Sequence, residues 1–244
     1  MRGLVRVGAA VPSLALGNVK ENMKRHLAMM REAKEKHVSI VTFPELSLTG
    51  YTCGDLFFQR RLLDGVTDAL LALKDEMPEG ILAVVGAPLE IEGALYNCAV
   101  VLHKGEIISA VPKTFLPNNG EFYEKRWFQS GDARRDASVA IQKLKTDVCR
   151  QAIFETEDGV RFGIELCEDL WAPLPPSTML SVEGAEIILN LSASNELLSK
   201  REYRQQLISQ QSARCQCGYV YVSAGMGESS SDLCLLYTSP SPRD

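Results

Sequence analysis

The sequence lacks several features that would indicate a membrane, metal-binding or secreted protein. No apolar run approaches the roughly 20 residues that a membrane-spanning helix needs, and the opening stretch Met1–Val7 intersperses charge with apolar residues instead of resembling a signal peptide. Histidine is scarce, with three residues, and Cys215 and Cys217 are the only closely spaced cysteines. A zinc site would therefore lack obvious ligands, and we expect a cytoplasmic protein without a metal.

The sequence also lacks a regular pairing of cysteines and an excess of basic residues. The seven cysteines are odd in number and irregularly spaced, which does not suggest a disulfide framework. A formal net charge of −5 argues against nucleic acid or an anionic membrane as the main partner. No glycine-rich phosphate loop of the Walker type occurs, so we expect these residues to bind neither ATP nor another cofactor.

What is present is the pattern of an α/β domain. The 244 residues, 45% of them hydrophobic, are enough for one domain with a large core. Apolar positions alternate between strand and helix periods along the chain, and Lys104-Gly105 predicts a hairpin. We expect a single strand over Val139–Leu144. Ser199 and Glu202 form a capping-box pattern that predicts a helix to about Cys217, closed by Gly218.

Cys167 ends an apolar, strand-like run and is followed at once by two acids, Glu168 and Asp169. A cysteine at a strand end that faces a cleft can be ionised and used as a nucleophile. Taken alone, the segment would equally suit a buried structural thiol.

Two other strand ends carry charge. Glu45 follows a β-branched run that ends at Pro44, where a partly desolvated carboxylate can act as a general base. Lys113 follows another apolar strand, and an ammonium fixed there can stabilise an oxyanion. Each could be an ordinary surface charge, but all three residues lie where a strand gives way to a loop, so one cleft could receive them.

Four motifs in order carry a resemblance to a known family. They are Phe43–Leu46, Pro112–Asn118, Glu165–Trp171 and Asn190–Asn195. The chain resembles the nitrilase superfamily of carbon–nitrogen hydrolases over roughly residues 3 to 232. Gly50–Phe57 and Glu121–Phe128 favour one branch, the amino-terminal glutaminase domains of glutamine-dependent NAD(+) synthetases.

The resemblance implies both chemistry and fold. Glu45 would take the thiol proton of Cys167, the sulfur would attack the carboxamide of glutamine, and Lys113 would stabilise the oxyanion and favour the thiolate. Water activated by Glu45 would hydrolyse the thioester. The implied architecture is an α/β fold, the nitrilase-like α-β-β-α sandwich, incomplete at its carboxyl end.

The same resemblance suggests supporting residues. Glu124 matches a second active-site glutamate that would orient Lys113, with Glu121 as the competing candidate. Residues matching those that hold the substrate amino acid are Tyr51, Ser194 and, less directly, Lys200. Asn119 stands where some relatives have a tyrosine, which affects how glutamine would be recognised.

We interpret residues 1–232 as a truncated glutaminase domain and residues 233–244 as a non-native tail that resembles a translated sequencing adapter. ATP and Mg would then be needed only in a missing synthetase domain, and the parent protein would be a homo-oligomer. Two alternatives stay open at this point: a stand-alone hydrolase of another small amide, and a scaffold that binds partners without catalysis.

Overall fold

Two β-sheets form the centre of the molecule. The computed structural model describes residues 4–133, 136–141, 144–225 and 228. The larger sheet has the strand order β1-β2-β3-β4-β5-β7-β6 and the smaller one β11-β10-β9-β8. The strands are β1 Val7–Ala9, β2 Ile40–Thr42, β3 Leu82–Ile91, β4 Ala94–His103, β5 Glu106–Pro112, β6 Ala137–Ile141, β7 Leu144–Val148, β8 Ile153–Glu155, β9 Arg161–Leu166, β10 Ile187–Ser192 and β11 Gly218–Ser223. The helices are α1 Val19–Glu35, α2 Arg60–Glu76, α3 Pro176–Val182 and α4 Lys200–Cys215.

The two sheets pack face to face through apolar side chains. The larger sheet contributes Ile40, Val84, Ala99, Val101 and Val111, and the smaller sheet contributes Phe162, Ile164, Leu166, Leu189 and Leu191. These strands are buried on both faces, which explains their nearly continuous apolar sequences.

Helices cover the two outer faces. Leu27 and Met30 of α1 and Leu70 and Leu73 of α2 join the core on the outside of the larger sheet. Leu180 of α3 packs with the outer face of the smaller sheet, and α4 lies beside α3 and β11. The predicted α-β-β-α sandwich is confirmed, as is the hairpin in which His103 pairs with Glu106.

One predicted strand was wrong. In place of a single strand over Val139–Leu144, β6 and β7 run antiparallel, with Ile141 opposite Leu144. The apolar positions change from odd numbers at Val139 and Ile141 to even numbers at Leu144 and Val148, and the reversal lies at this change of phase. The second of these strands pairs in parallel with β5 and extends the larger sheet.

The helix α4 begins directly after Ser199 as predicted, but its predicted caps were wrong. Ser199 precedes the helix with a left-handed φ of 63° and makes no side-chain capping bond. A capping serine needs an extended backbone to bring its hydroxyl to the first-turn amides, and here the backbone turns the other way. The helix stops at Cys215 with Gln216 in the left-handed region, and Gly218 already belongs to β11.

The predicted tail at residues 233–244 lies outside the described residues. Across the described ranges, no helix has both the length and the apolar character needed to cross a membrane.

Candidate active site

The three residues proposed for catalysis meet between the two sheets. Glu45 follows β2 and Lys113 follows β5 in the larger sheet, whereas Cys167 follows β9 in the smaller one. All three are buried: Glu45 and Lys113 are fully enclosed, and Cys167 is 7% exposed. Parallel strands bring their carboxyl ends to one edge of a sheet, which is why residues far apart in sequence converge here.

Three donors hold the carboxylate of Glu45. Oε1 accepts from Lys113 Nζ at 2.6 Å and from Asn97 Nδ2 at 2.7 Å. Oε2 accepts from the backbone N–H of Ala193 at 2.9 Å. Ala193 follows β10 of the smaller sheet, so Glu45 is bonded to both sheets at once.

Gly86 of β3 leaves room for the loop that carries Glu45. A Cβ atom at this position would lie 2.3 Å from the carbonyl oxygen of Pro44 and 2.4 Å from the amide nitrogen of Leu46. The loop is further held by a bond from the N–H of Leu48 to the carbonyl of Gly86, at 3.1 Å. The loop therefore packs on the sheet at a distance that only glycine permits.

Lys113 is shared by two carboxylates. Its Nζ donates to Glu124 Oε1 at 2.7 Å as well as to Glu45. Burial opposes its charge, but the carboxylates of Glu124 and Glu45 outweigh burial and hold the pKa of Lys113 well above its ordinary value. The ammonium is therefore a permanent cation at this site.

Glu124, rather than Glu121, is the glutamate that reaches Lys113. Burial raises the pKa of Glu124 to about 7, with Lys113 opposing the shift and Glu45 adding to it. The hydroxyl of Tyr51 donates to Glu124 Oε1 at 2.6 Å. Tyr51 was predicted to hold the substrate; its hydroxyl is engaged with Glu124 instead, and substrate contact by its ring stays a prediction.

Cys167 sits at a sharp turn between β9 and a short 3-10 helix. Its φ of 42° lies in the left-handed region, which is uncommon for a residue with a side chain. Burial and the carboxylate of Glu45 raise the pKa of the thiol, while Lys113 and the backbone hydrogen bond from Ala193 lower it. Lys113 therefore favours the thiolate, as expected, but the raising effects dominate and hold the pKa of the thiol above its ordinary value.

The side chain of Asp169 connects the turn at Cys167 to the loop that follows Lys113. One of its oxygens accepts from the backbone N–H groups of Thr114 and Phe115, at 3.1 and 2.7 Å, and the other accepts from Leu166 at 2.9 Å. Burial raises the pKa of this carboxyl to about 8, against the lowering effect of the N–H donors. The residue just before Cys167 and the two just after Lys113 are thus bonded to one side chain.

A cavity of about 240 Å³ opens onto Cys167. Of the predicted supporting residues, Ser194, Lys200, Glu121 and Asn119 line it. The ammonium of Lys200 bonds Asn195 and lies 5.2 Å from the ring centroid of Trp171. Burial lowers the pKa of Lys200.

The cavity wall also contains Glu168, which the sequence reasoning left without a role. Its pKa is raised by burial, against the lowering effects of Lys113 and Lys200. Asn97, Asp169 and the N–H of Ala193 were missed as well. A signal existed only for Asn97, as a polar residue inside an apolar strand. Within the described residues, no cluster of His, Cys, Asp and Glu is arranged to hold a metal ion.

Comparisons with known proteins agree with this geometry. The chain matches the model of the carbon–nitrogen hydrolase family over residues 6–239. It is 38% identical to the glutamine-dependent NAD(+) synthetase of Mycobacterium tuberculosis H37Rv over 234 residues, covering 95% of this chain and 34% of that protein. The chain therefore spans about a third of the length of the curated relatives it matches.

Solved structures show the same fold. A glutamine-dependent NAD(+) synthetase from Cytophaga hutchinsonii superposes with a TM-score of 0.79 at 30% identity, over 90% of this chain and 36% of that one. A variant of a nitrilase-superfamily amidase from Nesterenkonia AN1 superposes with a TM-score of 0.75 over 96% of this chain and 81% of that one; at 15% identity it shows likeness of fold alone. On the family match and the identity to these relatives, the chain belongs to the carbon–nitrogen hydrolase family.

Proposed function

We propose that this chain hydrolyses the side-chain carboxamide of glutamine to glutamate and ammonia, through a thioester on Cys167. One observation carries the proposal: Cys167 opens onto a cavity while a buried carboxylate, Glu45, and a permanent cation, Lys113, lie beside it. Relatives named glutamine-dependent NAD(+) synthetases support glutamine as the amide.

The charges around the cavity suit a free amino acid. Glu121 and Glu168 provide carboxylates, and Lys200 provides an ammonium, within one lining of about 240 Å³. A glutamine molecule carries one ammonium and one carboxylate at its α-carbon, so opposite charges on the wall can orient it. We assign Lys200 to the substrate carboxylate, and Ser194 to a polar contact nearby.

Acylation begins with proton transfer. The protonated thiol of Cys167 gives its proton to Glu45 as the sulfur attacks the carboxamide carbon. The carbonyl oxygen becomes an oxyanion, which the ammonium of Lys113 stabilises. The C–N bond then breaks, the proton on Glu45 passes to the leaving nitrogen, and ammonia departs from a γ-glutamyl thioester.

Deacylation uses the same groups in reverse. Glu45 takes a proton from a water molecule, and the oxygen of that water attacks the thioester carbon. Lys113 again faces the oxyanion. The C–S bond breaks, glutamate leaves, and the proton returns from Glu45 to the sulfur. Throughout, Lys113 stays charged because two carboxylates hold its proton.

The test is release of glutamate and ammonia from glutamine by the wild-type chain and by Cys167→Ala. We expect Cys167→Ala to lose the activity completely, whereas Cys217→Ala, which removes another buried free thiol, keeps it. Glutamine hydrolysis that survives in Cys167→Ala would overturn the mechanism. No hydrolysis of glutamine by folded wild type, with Cys167-dependent hydrolysis of another small amide, would overturn the substrate.

We also propose a role in a larger protein. The relatives are named glutamine-dependent NAD(+) synthetases. The ammonia would amidate nicotinic acid adenine dinucleotide at a separate synthetase domain that requires ATP and Mg. A protein carrying both domains should form NAD from glutamine, and its glutamine hydrolysis should rise when ATP and nicotinic acid adenine dinucleotide are present. Independence of the two activities would contradict the coupling.

A cytoplasmic location and homo-oligomeric assembly are further parts of the proposal. The free thiols of the described residues suit a reducing compartment. Exposed apolar side chains on the outer helices, Met179 and Val182 of α3 and Tyr203 of α4, support contact with a second copy.

A further inference from the structure

Asn97 is a fully buried amide on an otherwise apolar face of β4. Ala99 and Val101, which follow it on the same face, belong to the apolar layer between the sheets. Burying an amide there is unfavourable unless it makes hydrogen bonds. Its N–H donor group reaches Glu45 at 2.7 Å, and its backbone carbonyl accepts from the N–H of Lys113 at 2.8 Å.

The hydrogen bonds to Glu45 distinguish its two oxygens. A carboxylate oxygen has two lone pairs. Those of Oε1 are both occupied, by Lys113 at 2.6 Å and Asn97 at 2.7 Å. Oε2 receives one donor, the N–H of Ala193, which leaves one lone pair free. The backbone N–H of Ala193 also lowers the pKa of the Cys167 thiol, so the donor to Oε2 lies beside the sulfur. Oε2 is therefore the oxygen on the side of the nucleophile.

We propose that Asn97 is a positioning residue that, together with Lys113, reserves Oε1 and leaves Oε2 of Glu45 as the atom that exchanges protons with Cys167. The inference rests on the proposed function, because it concerns the same reaction. The proton moves from the sulfur to Oε2 during attack, from Oε2 to the leaving nitrogen, and later from water to Oε2 and back to the sulfur. Without Asn97, Oε1 has a free lone pair and competes for that proton on the side away from the sulfur.

The variant to test is Asn97→Leu, which keeps the size of the side chain and removes the donor. Asn190→Leu is the matched control, because Asn190 is equally buried, on β10, and donates to Tyr219 and Glu165 instead. For Asn97→Leu we expect kcat to fall at least tenfold with KM within about threefold, the loss that one hydrogen bond to a charged group would cause. Asn190→Leu should keep kcat within about threefold.

A second readout does not need glutamine. The rate at which chloroacetamide alkylates Cys167, followed by peptide mass spectrometry with Cys167→Ala as blank, reports thiol deprotonation directly. It should fall at least tenfold in Asn97→Leu. If Asn97→Leu does not fold, Asn97→Val, which is smaller, suits a β-strand and also lacks the donor, should show the same loss.

The outcomes separate the two proposals. If the wild-type chain is alkylated at Cys167 but does not hydrolyse glutamine, the proposed substrate is overturned. The role of Asn97 is then decided by the alkylation assay alone. Wild-type alkylation rates in a folded Asn97 variant would overturn the positioning role. Equal losses of kcat and of alkylation rate in Asn97→Leu and Asn190→Leu would do the same, because they would indicate a merely structural effect.

Discussion

Gly86→Ala should disable the site without adding any chemistry to it. The new methyl carbon would lie 2.3 Å from the carbonyl oxygen of Pro44, 2.4 Å from the amide nitrogen of Leu46 and 2.8 Å from the carbonyl carbon of Glu45. Ordinary contacts of this kind begin at 3.4 Å. All the clashing atoms are backbone, so no side-chain rotation relieves them, and the loop carrying Glu45 must move away from β3 by about 1 Å.

A shift of that size has a calculable effect. Misplacing a catalytic group by about 1 Å can reduce the rate by about 10²-fold, and overpacking of a core costs about 1–3 kcal/mol. We expect kcat for glutamine to fall about 10²-fold in Gly86→Ala, with a loss of about 1–3 kcal/mol in urea unfolding. Gly163→Ala is the control, because its Cβ would meet the flexible side chain of Leu180 at 2.8 Å, remote from Glu45. Wild-type kcat in a stable Gly86→Ala protein would refute the argument that backbone contact sets the position of Glu45.

Two further predictions concern buried charge. Lys113→Met removes the cation between Glu45 and Glu124 and should lower the free energy of unfolding at pH 8 by about 3–5 kcal/mol. The loss should be smaller at pH 5, because the pKa of Glu124 is raised to about 7 and its carboxyl is then protonated. Unchanged stability at pH 8 would contradict this prediction. Burial lowers the pKa of His26 from 6.5 to about 4. Between these two pH values the unfolded chain binds a proton that the folded chain does not. The free energy of unfolding of the wild type should therefore fall by up to about 3 kcal/mol as the pH is lowered from 6.5 to about 4. In urea unfolding, His26→Gln should not show this loss of stability, whereas the control His37→Asn, at an exposed position, should show it in full. Equal pH dependence of stability in all three proteins would exclude His26 as its source.

Much of the site follows from a simple rule about strand ends. Glu45, Lys113 and Cys167 each stand where an apolar strand stops, and polar residues at that place are the ones a parallel sheet presents to a cleft. The choice of Glu124 over Glu121 depended on resemblance, since both lie in one loop and neither has a pattern of its own. The structure brings Glu124 to Lys113 and leaves Glu121 at the cavity wall.

What could not be predicted depends on contacts between distant segments. The partners of Asp169 are backbone N–H groups, which every residue has, so no residue type marks them. The raised pKa of Cys167 follows from burial and from the nearby carboxylate of Glu45, and a sequence shows neighbours along the chain but not in space. The capping box predicted at Ser199 does not form, because the backbone of Ser199 is left-handed. The direction from which the chain enters the helix is set by tertiary packing, which the sequence pattern does not show.

The division of the site between two sheets bears on how the protein is made. Glu45 and Lys113 follow strands of the larger sheet, whereas Cys167 and the N–H of Ala193 follow strands of the smaller one. The bond from Ala193 to Glu45 spans 148 residues of sequence, and the loop-closure entropy of such a contact must be overcome before it forms. During synthesis Cys167 therefore emerges as an ordinary thiol, apart from its proposed base. Under the proposed mechanism it can cleave an amide only after the two sheets have closed on each other, so amide hydrolysis by this cysteine would require completed folding.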